Sequence, residues 1–151
     1  PAQLGVIVGS NGMVDAERVI RFGMFLGLAF QIEDDLRNLS DDPGYGKEQN
    51  GDLAEAKRTL MLIHVRGTCN AAEQARLDAF LARSRADRSE EDVLWLVGLM
   101  QDRGSIAHAR KVAAAMAGAA AHEFALAYAG LPASEDLAFL QGLIRWVFDR
   151  P

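Results

Sequence analysis

Four side chains near position 35 carry oxygen atoms at a spacing that suits a hard cation. They are Gln31, Asp34, Asp35 and Asn38, and their positions fall within one stripe of a 3.6-residue helix. Paired carboxylates suit Mg²⁺, which prefers octahedral oxygen ligation, keeps several waters and usually shares its shell with substrate phosphates. The pattern therefore predicts a Mg²⁺ site that a phosphate completes.

The segment that follows supplies cations and permissive backbone. It contains Gly44, Gly46, Lys47, Gly51 and then Lys57. Lysine is an effective point charge for phosphate, and glycine lets the backbone approach a ligand closely. An acidic helix end taken alone is more often a solvated surface, so the predicted site depends on this basic segment.

The elements that must position these residues are helical. Apolar residues recur at three- and four-residue steps along nearly the whole chain, and no stretch alternates as a strand does. Asp15, Asp52 and Ser89 are the predicted N-caps, and Trp146 and Phe148 are assigned to the core. We expect helices over about residues 15–39, 52–65, 71–85, 89–103, 105–129 and 133–149. The fold class is an all-α bundle with one loop of unusual composition, residues 40–51.

Composition limits the classes of function. The chain has 151 residues, half of them hydrophobic, which favours one domain with a single core. The net charge of −5 and the scattered Lys and Arg residues argue against nucleic acid or an anionic membrane as partner. The apolar runs are too short for membrane insertion. Cys69 has no possible disulfide partner, which fits a cytoplasmic protein.

Two strings in this region resemble a known family. GLAFQIEDDLRNL and the later GKEQNGDLAEAKRTLMLIH are similar to the second aspartate-rich region of trans-isoprenyl diphosphate synthases, the polyprenyl synthetase family. That family's pattern is approximately G-x-x-F-Q-x-x-D-D-x-x-D/N, then G-K, then G-x-D or G-D, then G-K-x-T-L. LGVIVG resembles the helix before the motif, and GSIAHARKVAAAMAGAA with the final helix resembles the family's C-terminal region. The resemblance covers essentially the whole chain and implies the C-terminal half of an isoprenoid synthase-type helical bundle.

The resemblance implies a prenyltransferase of isoprenoid biosynthesis. Asp34, Asp35 and Asn38 would hold Mg²⁺ against an allylic diphosphate, which ionises and is attacked by isopentenyl diphosphate. The two diphosphates are thus the implied substrates. The family is usually homodimeric, so a homodimer is expected for the full-length protein.

Further site residues follow from the same resemblance. Phe30 and Gln31 would lie beside the allylic substrate. Lys47 and Lys57 would contact its diphosphate oxygens, and Asp52 would orient the basic loop. Gln31, Lys47 and Lys57 are the predicted catalytic residues.

The chain departs from the family pattern in two ways. Ala56 stands where the family often has Gly before the lysine, and we expect it to be tolerated within a helix. The first aspartate-rich motif, the basic residues for isopentenyl diphosphate and an upstream Lys-Thr pair are absent from the sequence. Because the chain opens at Pro1 in an apolar run, we expect residues 1–151 to be the C-terminal part of a longer synthase domain that is inactive alone.

Two alternatives compete with the synthase interpretation. A non-catalytic subunit or remnant of the same fold would explain the missing motif, although such a protein has no need of the metal-type ligands and lysines. A class I terpene cyclase would require an Asn/Ser/Glu-type metal motif, which the sequence lacks. His64, His108 and His122 have no partner at ligand spacing and are predicted to pack or to lie on the surface.

Overall fold

The computed structural model describes residues 2–40 and 48–149. Every regular element in those ranges is a helix, so the predicted all-α fold class is confirmed. The helices are α1 (Ala2–Gly9), α2 (Ala16–Arg37), α3 (Gly51–Ala54), α4 (Leu60–Thr68), α5 (Ala71–Ala82), α6 (Glu90–Asp102), α7 (Ser105–Ala127) and α8 (Glu135–Asp149), with a 3₁₀ turn at Arg85–Asp87.

Two of the predicted caps are confirmed. Asp15 Oδ1 accepts a hydrogen bond from the Glu17 amide at 2.9 Å at the start of α2. The Ser89 hydroxyl accepts one from the Asp92 amide at 3.2 Å at the start of α6. Each cap satisfies an amide that has no partner within its helix, which is why these boundaries follow from the sequence.

The prediction of one helix over residues 52–65 is wrong, because the chain breaks it into α3 and α4. Ala56 adopts a φ of 55°, in the left-handed region that ends a helix and that glycine enters without steric cost. Thr59 is extended, and its hydroxyl caps α4 by accepting from the Leu62 amide at 3.3 Å. Ala56 is therefore not a helical residue, and the expectation that it lies within a helix is wrong.

The chain divides into two compact units. Unit 1 comprises Pro1–Glu33 and Val112–Pro151, and unit 2 comprises Asp34–Lys111.

Unit 1 is packed through small and aromatic side chains. Phe22 contacts Ala120 and Phe124 in a buried cluster, with the two rings 5.5 Å apart. Ala29 of α2 and Val147 of α8 belong to a neighbouring cluster that also contains Ala117. Alanine side chains are small and let helices approach closely. Ala117 and Ala120 of α7 take this role in the two clusters.

Several large apolar side chains of unit 1 are exposed. In α1, Ile7 is 57% exposed and Val8 is 85% exposed. Trp146 and Phe148 of α8 are 48% and 42% exposed, so their predicted core positions are wrong. The helical stripe of α8 instead turns Leu137, Leu140 and Ile144 toward the Phe22 cluster.

Unit 2 has a core of larger aliphatic residues and short, well-capped helices. The buried side chains of α4, α5 and α6 are Met61, Leu62, Val65, Leu77, Phe80, Val93, Leu96, Leu99 and Met100. Asn70 and Glu73 form a reciprocal capping box at the start of α5. The His64 and His108 rings stack 4.2 Å apart and His64 Nδ1 lies 2.9 Å from Ser105 Oγ, in agreement with a packing role.

Candidate cation and phosphate site

The C-terminal end of α2 concentrates negative charge. Glu33, Asp34 and Asp35 lie in its last two turns, where the helix macrodipole is also negative. Carboxylates are disfavoured at this end of a helix unless a cation offsets them. Arg37, in the last turn of α2, offsets part of this negative charge.

Lys57 supplies a further cation from outside α2. Its Nζ donates to Asp35 Oδ1 at 2.8 Å and to Asp52 Oδ2 at 2.8 Å. The Asp35 side chain is 7% exposed, whereas that of Lys57 is 41% exposed and faces solvent. Burial opposes the ammonium charge, but the hydrogen bonds to Asp35 and Asp52 outweigh it and raise the pKa of Lys57 above its ordinary value. Lys57 therefore stays fully charged near neutral pH.

Asn38 joins the end of α2 to the segment that carries Asp52. Its Nδ2 donates to the Glu48 carbonyl at 3.2 Å, and its Oδ1 accepts from the Asp52 amide at 3.0 Å. The Asn38 carbonyl accepts from the Asn50 amide at 2.8 Å. Asn38 is 2% exposed. Its amide thus donates and accepts within the protein.

These contacts close a polar ring within unit 2. Asp35 bonds to Lys57, Lys57 to Asp52, and Asp52 to Asn38, which lies one turn after Asp35 in the chain. We call these four residues the polar ring. The Lys57 amide also donates to the Asp52 carbonyl at 2.9 Å, so Lys57 and Asp52 are joined at two points.

The other predicted site residues lie outside this ring. Asp34 is half-buried beside Asp35, and its carbonyl accepts from the Asn38 amide at 3.1 Å. Phe30 and Gln31 belong to unit 1, where the Phe30 ring stacks on Trp146 with centroids 6.1 Å apart. Lys47 lies outside the described residues. The structure therefore brings together Asp35, Asn38, Asp52 and Lys57 among the predicted residues.

Sequence reasoning missed how the segment before α3 is held. Asn50 takes a left-handed φ of 57° and precedes Gly51, the first residue of α3. An Asn-Gly pair is a common turn signal because asparagine tolerates this conformation. The same pair in the sequence could have indicated that the chain turns back toward Asn38 here.

The donor set suits Mg²⁺ bound together with phosphate. Asp34 and Asp35 offer hard carboxylate oxygens, and proteins usually bind Mg²⁺ through one or two carboxylates plus phosphate oxygens. Over residues 2–40 and 48–149, no group of three or more His, Cys, Asp or Glu residues is placed to hold a metal ion by itself. The two adjacent carboxylates are thus the candidate ligands within the chain, with a phosphate ligand sharing the shell.

No helix in the described part of the chain is long and apolar enough to cross a membrane.

The amino-acid sequence of the chain is similar to those of known proteins. A family model described as Polyprenyl synthetase matches residues 1–100. The chain is 33% identical over 111 residues to a geranylfarnesyl diphosphate synthase of Natronomonas pharaonis, covering 72% of this chain and 29% of that protein. It is 30% identical over 110 residues to a short chain isoprenyl diphosphate synthase of Methanothermobacter thermautotrophicus, covering 72% and 33%. The chain thus spans about a third of the length of these relatives.

The fold also has solved counterparts. The geranylgeranyl pyrophosphate synthetase of Pyrococcus horikoshii superposes with a TM-score of 0.81 at 24% identity, covering 99% of this chain and 44% of that one. A geranylgeranyl pyrophosphate synthase of Bacteroides thetaiotaomicron gives a TM-score of 0.75 at 21% identity. The helical arrangement described above is therefore an established one.

Proposed function

This chain belongs to the polyprenyl synthetase family, and from that premise we propose that it supplies a Mg²⁺-diphosphate half-site for prenyl transfer. The substrates would be an allylic diphosphate and isopentenyl diphosphate. The observation that carries the proposal is the Lys57 ammonium, held 2.8 Å from Asp35 and 2.8 Å from Asp52 while its side chain remains 41% exposed.

The carboxylates and the lysine have complementary tasks. Asp34 and Asp35 would hold Mg²⁺, which when bound neutralises diphosphate charge and so assists its departure. Lys57 presents a fixed positive charge at the same end of α2, where it can donate to a diphosphate oxygen. Such a donor is most effective when its position is fixed before the ligand binds. The hydrogen bonds to Asp35 and Asp52 fix the position of Lys57 in this way.

The remaining predicted residues extend this half-site. Lys47 is proposed to contact the diphosphate, and Phe30 and Gln31 to lie beside the allylic group. These three roles rest on the family resemblance. Asn38 is also a predicted Mg²⁺ ligand, but its amide contacts with Glu48 and Asp52 favour another role.

Calorimetry with inorganic pyrophosphate tests the half-site. We expect weak binding of Mg²⁺ alone and much tighter binding when pyrophosphate is present, because the ligand supplies part of the metal shell. Lys57→Met should lower the pyrophosphate affinity about 10- to 100-fold through loss of a charged hydrogen bond. Lys111→Met, which removes an exposed lysine of α7, is the matched control and should leave the affinity unchanged. Equally weak Mg²⁺ binding with and without pyrophosphate would contradict the proposal.

A second experiment addresses catalysis. We expect condensation only when the chain is joined to, or mixed with, a polypeptide bearing the first aspartate-rich motif, because ionisation needs metal on both sides of the diphosphate. Radiolabelled isopentenyl diphosphate incorporation measures this. Tight pyrophosphate binding without incorporation in any such combination would favour the non-catalytic subunit. We also propose a homodimer, on the family resemblance alone, and sedimentation velocity tests it.

A further inference from the structure

We propose that Asn38 is a positioning residue, which holds Asp52 and, through Asp52, the Lys57 ammonium in place for diphosphate. This inference rests on the proposed function, because it assigns Lys57 the diphosphate as its ligand. It gives Asn38 a different task from the metal ligation predicted from its place in the aspartate-rich motif.

The two side-chain bonds at position 38 suit an amide. Asn38 Nδ2 donates to the Glu48 carbonyl, and Asn38 Oδ1 accepts from the Asp52 amide. Only a side chain with both a donor and an acceptor makes this pair of bonds, and an ionised carboxylate accepts only. Because Asn38 is 2% exposed, water cannot readily replace either bond.

The link from Asn38 to Lys57 is short and continuous. Asn38 fixes the Asp52 amide at 3.0 Å, and Asp52 fixes Lys57 through its carboxylate and its carbonyl at 2.8 and 2.9 Å. A shift of the Asp52 backbone therefore moves both anchors of Lys57 together. Asp35 alone, a single contact, would leave the lysine free to change rotamer.

Asn38→Asp separates a positioning role from metal ligation. As a ligand, an aspartate would add negative charge and strengthen Mg²⁺ binding. As a positioning residue, it would set a carboxylate oxygen against the Glu48 carbonyl, so that two acceptors repel each other and Asp52 is displaced. We expect Asn38→Asp to weaken Mg²⁺-pyrophosphate binding about tenfold and to leave the affinity for Mg²⁺ alone unimproved.

A double-mutant cycle on Mg²⁺-pyrophosphate affinity provides the decisive test. Asn38→Ala should lower the affinity about tenfold in the native chain and less than about twofold in a Lys57→Met background, because its effect passes through Lys57. Asn70→Ala is the matched control, because it also removes an asparagine of unit 2 that accepts from a backbone amide. Asn70 Oδ1 accepts from the Glu73 amide at 2.9 Å. This variant should lower stability without changing pyrophosphate affinity. Equal losses from Asn38→Ala in both backgrounds, or tighter Mg²⁺ binding by Asn38→Asp, would overturn the proposal.

The same cycle measured by denaturant unfolding of the ligand-free protein separates this inference from the proposed function. Coupling between Asn38 and Lys57 should make the two midpoint shifts clearly non-additive. If pyrophosphate fails to bind the native chain, the proposed function fails, whereas additive midpoint shifts would show that Asn38 does not position Lys57.

Discussion

The two units of this protein use different physical means to reach a stable structure. In unit 1, helices approach through alanines, and Phe22 and Phe124 fill the space between them. In unit 2, short helices depend on side-chain caps, and the polar ring joins the end of α2 to Asp52 and Lys57. Of the thirteen large hydrophobic side chains exposed in the described ranges, eleven belong to unit 1. In the described ranges, exposed apolar side chains are thus concentrated in unit 1.

The polar ring, which lies in unit 2, depends on contacts of a different kind from apolar packing. A charged donor must be held by directional contacts, and hydrogen bonds to buried partners fix direction in a way that apolar packing does not. Asp35 and Asn38 are buried polar residues of just this kind. Substitutions that affect one mode of stabilisation but not the other test the comparison.

The largest effect is expected from Phe22→Ala. Phe22 is 3% exposed, so its truncation should lower the free energy of unfolding by about 3–5 kcal/mol through lost burial and a residual cavity. Denaturant titration measures the change. Phe139→Ala, at a residue 67% exposed in the same unit, is the control and should change stability by less than about 0.5 kcal/mol. A similar loss in both variants would mean that unit 1 is not held by its buried aromatic cluster.

Arg88→Ala should give the next largest effect and should act on unit 2. The Arg88 guanidinium donates to the carbonyls of Ala54, Phe80 and Arg83 at 2.7, 3.2 and 2.6 Å. Its loss should cost about 2 kcal/mol of unfolding free energy, because hydrogen bonds from a charged donor are among the stronger ones.

Arg88→Lys tests whether geometry or charge matters in this contact. Lysine keeps the charge but lacks the planar fork, so it should restore less than half of the lost stability. Arg66→Ala is the control, because it removes an exposed arginine that lies 3.0 Å from Asp78. It should lower the free energy of unfolding by less than about 1 kcal/mol. Full rescue by lysine would show that charge alone suffices.

Ala56→Gly should stabilise the protein by about 0.5–1 kcal/mol, because alanine pays a steric penalty at positive φ that exceeds the extra unfolded-state entropy of glycine. Ala79→Gly, at an exposed position inside α5, should instead destabilise it by about 1 kcal/mol. Thermal unfolding of the pair compares them. A loss of stability in both variants would contradict the role assigned to backbone conformation at Ala56.

The smallest effect concerns pH. Folding raises the pKa of Lys57, so the stabilisation from its charge is fully present below the unfolded pKa of about 10.4 and disappears as pH rises through the higher folded pKa. Solvent screening at this exposed side chain keeps the contribution small. The stability difference between the native chain and Lys57→Met should be constant from pH 7 to about 9 and shrink above about 10.4. A difference that grows at high pH would contradict the ion pairs.

The sequence predicted the long elements well, and the reasons are local. The start of α6 follows from Ser89 and the residues immediately after it. The break after α3 could not be predicted from the sequence. Nothing in the sequence marks Ala56 as left-handed, and Thr59 could equally be a residue inside a helix. Trp146 and Phe148 were assigned to the core from hydrophobicity alone, whereas the helical phase of α8 places them on the exposed side.

The candidate site was predictable only where its contacts are local in the sequence or belong to the family motif. Spacing indicated that Asp35 and Asn38 share a helix face, and the family resemblance indicated Lys57. The bond from Asn38 to Asp52 joins residues 14 positions apart in the chain, and helical periodicity carries no information about such a contact. Metal binding by Asp34, Asp35 and Asn38 remains a prediction.

The alanine face of α7 has an evolutionary consequence. Ala113, Ala117, Ala120 and Ala127 are all less than 9% exposed and recur at three-, four- and seven-residue intervals. Any larger side chain there must push neighbouring helices apart, at about 1–3 kcal/mol per substitution. Drift at these four positions is therefore restricted to glycine, alanine and serine, whereas Phe124 on the same side of α7 is a large buried residue. A deep mutational scan would record this restriction as a periodic band of intolerance whose phase marks the buried side of α7.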